Sequence, residues 1–84
     1  MAQNGTAQAR GFTFLRAMES WRKALELDQA QYGALYNLAI AQGRRGEVGA
    51  AREKLERFVA RAPAALYARD LAEARRLLRS MGGA

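Results

Sequence analysis

From Gln29 to Gly43 the chain carries no charged residue for fifteen consecutive positions, and within them Tyr32, Leu35, Tyr36, Leu38, Ala39 and Ile40 leave little polar face. Their three- and four-residue spacings are those of a helix, with apolar side chains almost all round it. Such a helix is stable only with neighbours on both sides. Gln31, Gly33, Asn37 and Gln42 interrupt the stretch, which suits burial by protein rather than by lipid. Nowhere does the chain carry the ~20 consecutive apolar residues that span a bilayer.

The neighbours are legible on either side. Phe14, Ala17, Met18, Trp21, Ala24 and Leu25 form one helical stripe before the uncharged segment; Val48, Ala51, Leu55, Phe58, Val59 and Ala62 form another after it, followed by Tyr67, Leu71, Ala74, Leu78 and Met81. Breakers separate the stripes: Gly11 and Thr13 before the first, Gly43 to Gly46 between the second and third, Pro63 before the fourth, Gly82 and Gly83 at the end. The expected helices are 13–28, 31–44, 47–61 and 65–81, with 1–12 a flexible segment or remnant helix and 82–84 a tail. Short connections make consecutive helices antiparallel neighbours, so the expected fold is all-α, a stack of helical hairpins. On the outer side of the third helix, Arg52 with Glu56 and Glu53 with Arg57 are spaced for ion pairs worth about 0.2–0.5 kcal/mol each.

Composition excludes several functions. The chain has no cysteine and no histidine, so disulfides, thiolate chemistry and the usual zinc or haem ligands are absent and no cofactor is expected. Thr6, Thr13, Ser20 and Ser80 are the hydroxyl candidates outside tyrosine, with no imidazole to activate them and no glycine-rich phosphate loop after a strand. An enzyme is not expected. Residues 1–11 lack the apolar run of a signal peptide, and the compartment stays open. The net charge of +6 raises nucleic acid or an acidic surface as a partner, but it spreads as +1, +1, +2 and +2 over 1–28, 29–47, 48–65 and the remainder. A basic helical module is therefore the alternative rather than the leading reading.

A thirty-four-residue period organises these stripes. Phe14 to Leu25 aligns with Val48 to Val59, so that Ala17 falls on Ala51, Trp21 on Leu55 and Leu25 on Val59, and the breaks at Gln29 and Pro63 coincide. These residues resemble the tetratricopeptide repeat. Tyr32 to Ala65 is similar to one full unit, with Leu35-Tyr36-Asn37-Leu38-Ala39 opening its first helix, Gly46 at its turn, Ala51 where its two helices touch and Pro63 closing it. Ala17 to Asp28 is similar to the second helix of a preceding unit. Phe58 departs from the small alanine common in the family. Arg69 and Glu73 stand where Leu35 and Ala39 stood one period earlier, which marks the fourth helix as a cap with one apolar stripe.

The resemblance implies a short right-handed solenoid whose first helices line a concave face that takes a peptide or partner helix. On it the face residues are Gly33, Tyr36, Asn37, Ile40 and Arg44, joined by Tyr67, Asp70 and Ala74 from the last helix. Asn37 can both donate to and accept from a peptide backbone, as family members often do there, and Arg44 can meet a carboxylate. Each residue also suits a plain core or rim role. A clamp for a C-terminal carboxylate is not implied, because Asp70 and Leu71 occupy positions where it needs other groups. Trp21 reads as the bulky wall of the first helix. The thin apolar content of 1–11 suggests the C-terminal end of a longer array, a structural cap, or a homodimer using the first helix. The tail from Phe58 to Leu78 also resembles the closing segment of repeat arrays appended to larger bacterial proteins, including hydrolases.

Overall fold

The computed structural model describes the backbone of residues 2–82 and the side chains from Phe14 onward. Four helices follow one another: α1 (Ala2–Leu27), α2 (Tyr32–Arg44), α3 (Val48–Arg61) and α4 (Ala64–Ser80). No strand occurs among the described residues, as the all-α expectation required. Gly83 and Ala84 of the expected tail lie outside the described residues. None of the described helices is long and apolar enough to cross a membrane.

α1 differs from expectation at its start. It begins at Ala2 and runs through Gly5 and Gly11, so residues 2–12 continue the first helix instead of preceding it. A glycine inside a helix costs about 1 kcal/mol relative to alanine, which weakens a helix without stopping it. No proline lies in that stretch, and alanines and glutamines surround the glycines.

The turns obey their local chemistry. After α1, the Asp28 carboxylate accepts a hydrogen bond from the Ala30 amide at 2.9 Å and closes a short turn. At the end of α2 the Gly46 amide donates to the Gly43 carbonyl and the Glu47 amide to the Gln42 carbonyl, with Gly46 at φ 83°. That is the Schellman arrangement, and it needs a residue without Cβ at the left-handed position. Between α3 and α4, Ala62 is forced extended (ψ 138°) by the proline that follows it. α4 then opens with a single turn and kinks at Tyr67 (φ −126°, ψ 30°) before its main run.

The helices pair antiparallel. Tyr36 near the start of α2 meets Phe58 near the end of α3, whereas Gly43 near the end of α2 faces Ala51 near the start of α3. Ala51 is fully buried, the small residue that lets these two helices approach. Phe58 meets Tyr67 at one end of the α3–α4 pair, and Arg52 meets Met81 at the other. α2 feeds two cores: Leu35 and Ala39 join Leu55, Phe58, Leu71 and Ala74, while Leu38 and Ala41 join Met18 of α1. The uncharged helix is thus sandwiched, as its apolar surface demanded.

Of the two ion pairs expected on α3, one forms and one does not. Glu53 and Arg57 do pair, at 3.8 Å. Arg52 does not pair with Glu56; it is half-buried, and its Nη2 donates to the Met81 carbonyl oxygen at 2.8 Å. The antiparallel hairpin lays the last turn of α4 beside the first turns of α3, and the final carbonyls of a helix have no partner within it. A guanidinium within reach serves those carbonyls better than an exposed glutamate serves the guanidinium.

Candidate functional site

Successive residues of α2 four apart leave the packed surface on one side. Tyr36 and Ile40 are half-buried, and Asn37 and Arg44 are exposed beside them. These four line a hollow of about 450 Å³ together with Phe14, Trp21 and Ala41, closed on the far side by Glu73 of α4. A second hollow of about 340 Å³ shares Ile40, Arg44 and Glu73 and continues over Ala39, Gly43 and Leu55 to Leu77 and Met81. Because they share three residues, the two hollows form one trough. It runs from the aromatic residues of α1, across α2, to the end of α4.

Four of the residues expected on the binding face, Tyr36, Asn37, Ile40 and Arg44, therefore lie together. Gly33 is half-buried on the same helix, and a Cβ built there meets nothing within 4 Å. The contributions of α4 differ from expectation. Ala74 is fully buried in the main core, so it offers no surface to a partner. Tyr67 does not line the trough; its ring packs edge-on against Phe58 at 5.7 Å and Tyr32 at 6.2 Å, where the kink in α4 delivers it. Asp70 is half-buried, close enough for its charge to act on the Tyr36 hydroxyl, and lines neither hollow.

Phe14, Trp21 and Glu73 are trough residues that the face assignment left out. Phe14 and Trp21 sit seven residues apart on one side of α1, a spacing that already placed them together. Both are half-buried, so the wall they form is not covered. Glu73 accepts from Arg76 Nε at 3.1 Å and from Arg76 Nη2, a two-pronged pair that fixes the carboxylate at the trough edge and holds the guanidinium charged.

Charged groups stand at the trough beside the Tyr36 hydroxyl. Burial raises the pKa of Tyr36 above the ordinary tyrosine value, and the negative charges of Asp70 and then Glu73 raise it further. The hydroxyl is thus a neutral donor at any physiological pH. Arg44, which lines the same hollow, has no ion-pair partner among the described residues. A ligand lying along α2 meets the Arg44 guanidinium and the Arg76-paired Glu73 carboxylate in the stretch that the two hollows share.

No protein-family model, curated protein or solved structure matches the chain.

What the trough can do follows from its lining. Its apolar floor and few polar rim groups make a binding surface, and no chemistry-bearing set converges on it. Among the described residues no group of three or more acidic side chains gathers that could hold a metal ion. Asn37 presents an amide donor and acceptor to whatever covers Ile40.

Proposed function

We propose that the chain is a protein-interaction module of the tetratricopeptide-repeat kind, in which the trough across α2 receives an amphipathic helix of a partner protein. One observation carries this reading: Phe14 and Trp21 of α1 and Tyr36 and Ile40 of α2 leave a contiguous, half-covered apolar strip, with Asn37 and Arg44 standing exposed beside it. A helix buries three or four side chains at i, i+3, i+4 and i+7 in such a groove, which matches a strip bounded by two helices and a polar rim. The thirty-four-residue period and the sandwiched α2 support the repeat architecture. Arg44 and Glu73 both line the stretch that the two hollows share, so a bound helix would meet a cation and a carboxylate there.

Trp21 is the only tryptophan and lies in the trough wall, so it reports occupancy directly. Helical peptides selected for binding from a displayed random library are expected to share an apolar i, i+3, i+4 pattern and to shift Trp21 emission to the blue. Tyr36→Ala with Asn37→Ala, and separately Ile40→Glu, should abolish that binding while the far-ultraviolet helical signal persists. Undiminished binding by both variants counts against this trough. Light scattering on a sizing column at two concentrations should give a monomer; a dimer dispersed by Ile40→Glu would put a second copy in the trough and displace the heterologous partner.

A further inference from the structure

The outer face of α4 is distinct from the trough. Beyond the kink at Tyr67, the helix turns Ala68, Arg69, Ala72, Arg75, Arg76 and Arg79 to one side, all six exposed, while Leu71 and Ala74 are buried on the other. At 3.6 residues per turn these six fall within about 120° of arc, in rows spaced three and four apart. None of them lines either hollow of the trough. Both carboxylates of α4 lie off this arc, on the flank whose charges act on Tyr36: Asp70 is half-buried, and Glu73 takes Arg76. Arg69, Arg75 and Arg79 have neither an ion pair nor a hydrogen-bond partner among the described residues.

The helix thus sorts its charges by side. Even with Asp70 and Glu73 counted, its four arginines stand against two carboxylates. On α3, by contrast, Glu53 reaches Arg57 on the outer surface. Like charges three and four apart, as Arg76 and Arg75 are from Arg79, work against an isolated helix. The helix dipole offsets this for Arg79 in the last turn, but it opposes a cation at Arg69, where the main run begins. An anionic partner relieves both costs.

Shape and chemistry select among anionic partners. None of the six residues is aromatic, so no base can stack on this face, and none is a bulky apolar group that enters a membrane interface. Ala68 and Ala72 form a low floor between the arginines, and small contact residues let two helix axes approach to about 8 Å, the near end of the usual range. From Arg69 to Arg79 the cations extend over about 15 Å of axis, and a second helix repeats with the same rise of about 1.5 Å per residue. Carboxylates three and four apart on such a helix stay in register with the arginines along that whole length, and a guanidinium fork fits each of them.

We propose that the outer face of α4 docks an acidic helix of another protein, whose carboxylates recur every three or four residues and meet Arg69, Arg75, Arg76 and Arg79. This surface is separate from the trough and stands or falls independently of it.

The probe is a capped alanine-rich peptide of about 15 residues, with glutamates three, four and three positions apart, titrated into the ¹⁵N-labelled full chain at low and physiological salt. A peptide of the same composition with its glutamates spread around the helix serves as the control for net charge. Saturable amide shifts confined to α4 between Ala68 and Arg79 are expected, with the patterned peptide binding at least several-fold tighter than its control. Arg75→Glu with Arg79→Glu should weaken binding about tenfold or more, because two exposed ion pairs become two like-charge contacts, and a peptide with lysines in place of the glutamates should then bind instead. Arg75→Gln with Arg79→Gln, which keeps good helix formers at both positions, should weaken the glutamate peptide less than the double reversal does. Ile40→Glu in the trough should leave the binding unchanged. Equal binding of the patterned and control peptides, full binding by both double variants, or loss of binding in Ile40→Glu would each overturn the proposal. Tighter binding of a single-stranded oligonucleotide or of anionic vesicles, with shifts at the same arginines, would overturn it in favour of phosphate attraction.

Discussion

Removing the ring of Phe58 tests the packing that supports everything else in this chain. Phe58 is 0% exposed, and its ring centroid lies 5.1 Å from Tyr36 and 5.7 Å from Tyr67. Burying a phenylalanine and then truncating it to alanine costs about 3–5 kcal/mol, from lost transfer energy and the cavity left behind. Two aromatic contacts, each worth about 0.5–1.5 kcal/mol beyond area, push Phe58→Ala to the upper half of that range, about 4–5 kcal/mol. At about 0.05–0.15 kcal/mol per residue, an 84-residue domain has a total stability of about 4–13 kcal/mol. The substitution therefore removes between a third and all of it. Thermal melts followed by circular dichroism should show a Tm lower by about 16–40 °C, at about 4–8 °C per kcal/mol. Phe58→Leu keeps much of the volume and should cost about 1–2 kcal/mol. The family resemblance argues the other way, since alanine is common at the matching position. A loss under about 1 kcal/mol for Phe58→Ala would show that Tyr36 and Tyr67 close over the gap, and the reasoning from an aromatic keystone would fail.

Three further outcomes follow from single contacts. Tyr36 holds its proton more tightly when folded than when unfolded, so its contribution is complete below the ordinary tyrosine value of 10.0 and is lost as pH rises from there through the folded pKa; the wild-type stability should fall more steeply than that of Tyr36→Phe above pH 10 in urea titrations. Arg52→Ala removes the 2.8 Å bond to the Met81 carbonyl, and a charged hydrogen bond of this kind is worth about 1.5–3 kcal/mol; hydrogen exchange should quicken first at the end of α4. Gly46→Ala places a Cβ at φ 83° and should cost about 1–2 kcal/mol, whereas Gly33→Ala, at an ordinary φ with open space around the new methyl, should stabilise by a few tenths up to about 1 kcal/mol; equilibrium denaturation of the pair gives opposite signs.

What the sequence made legible was whatever depends on local period and local turn chemistry. The sandwich around α2 could be read because Leu35, Leu38, Ala39 and Ala41 point in different directions on one helix, and each direction requires a cover. Gly46 could be read because a left-handed residue ends a helix there. Arg52 could not: the four-residue rule pointed it at Glu56, and its acceptor is a carbonyl twenty-nine residues away that becomes reachable only once α4 folds back on α3. The place of Tyr67 depends on a kink whose benefit is ring packing against Phe58 and Tyr32, which no local pattern records. α1 runs back to Ala2 through Gly5 and Gly11, as the remnant-helix alternative for 1–12 allows, because a glycine inside a helix costs only about 1 kcal/mol.

The candidate site divides along the same line, and the division explains why there is a trough at all. Tyr36, Ile40 and Arg44 form one row at four-residue spacing, so their common direction was readable. Phe14, Trp21 and Glu73 come from other helices, and their convergence is set by how far α1 and α4 stand apart over α2. A helix apolar on nearly every side needs cover on every side. α1 covers Leu38 and Ala41, and α3 with α4 covers Leu35 and Ala39, which leaves Tyr36 and Ile40 only half covered. The surface that forces this chain into a multi-helix stack thus exceeds what its four helices bury, and the remainder is the half-covered strip to which we assign the proposed partner helix.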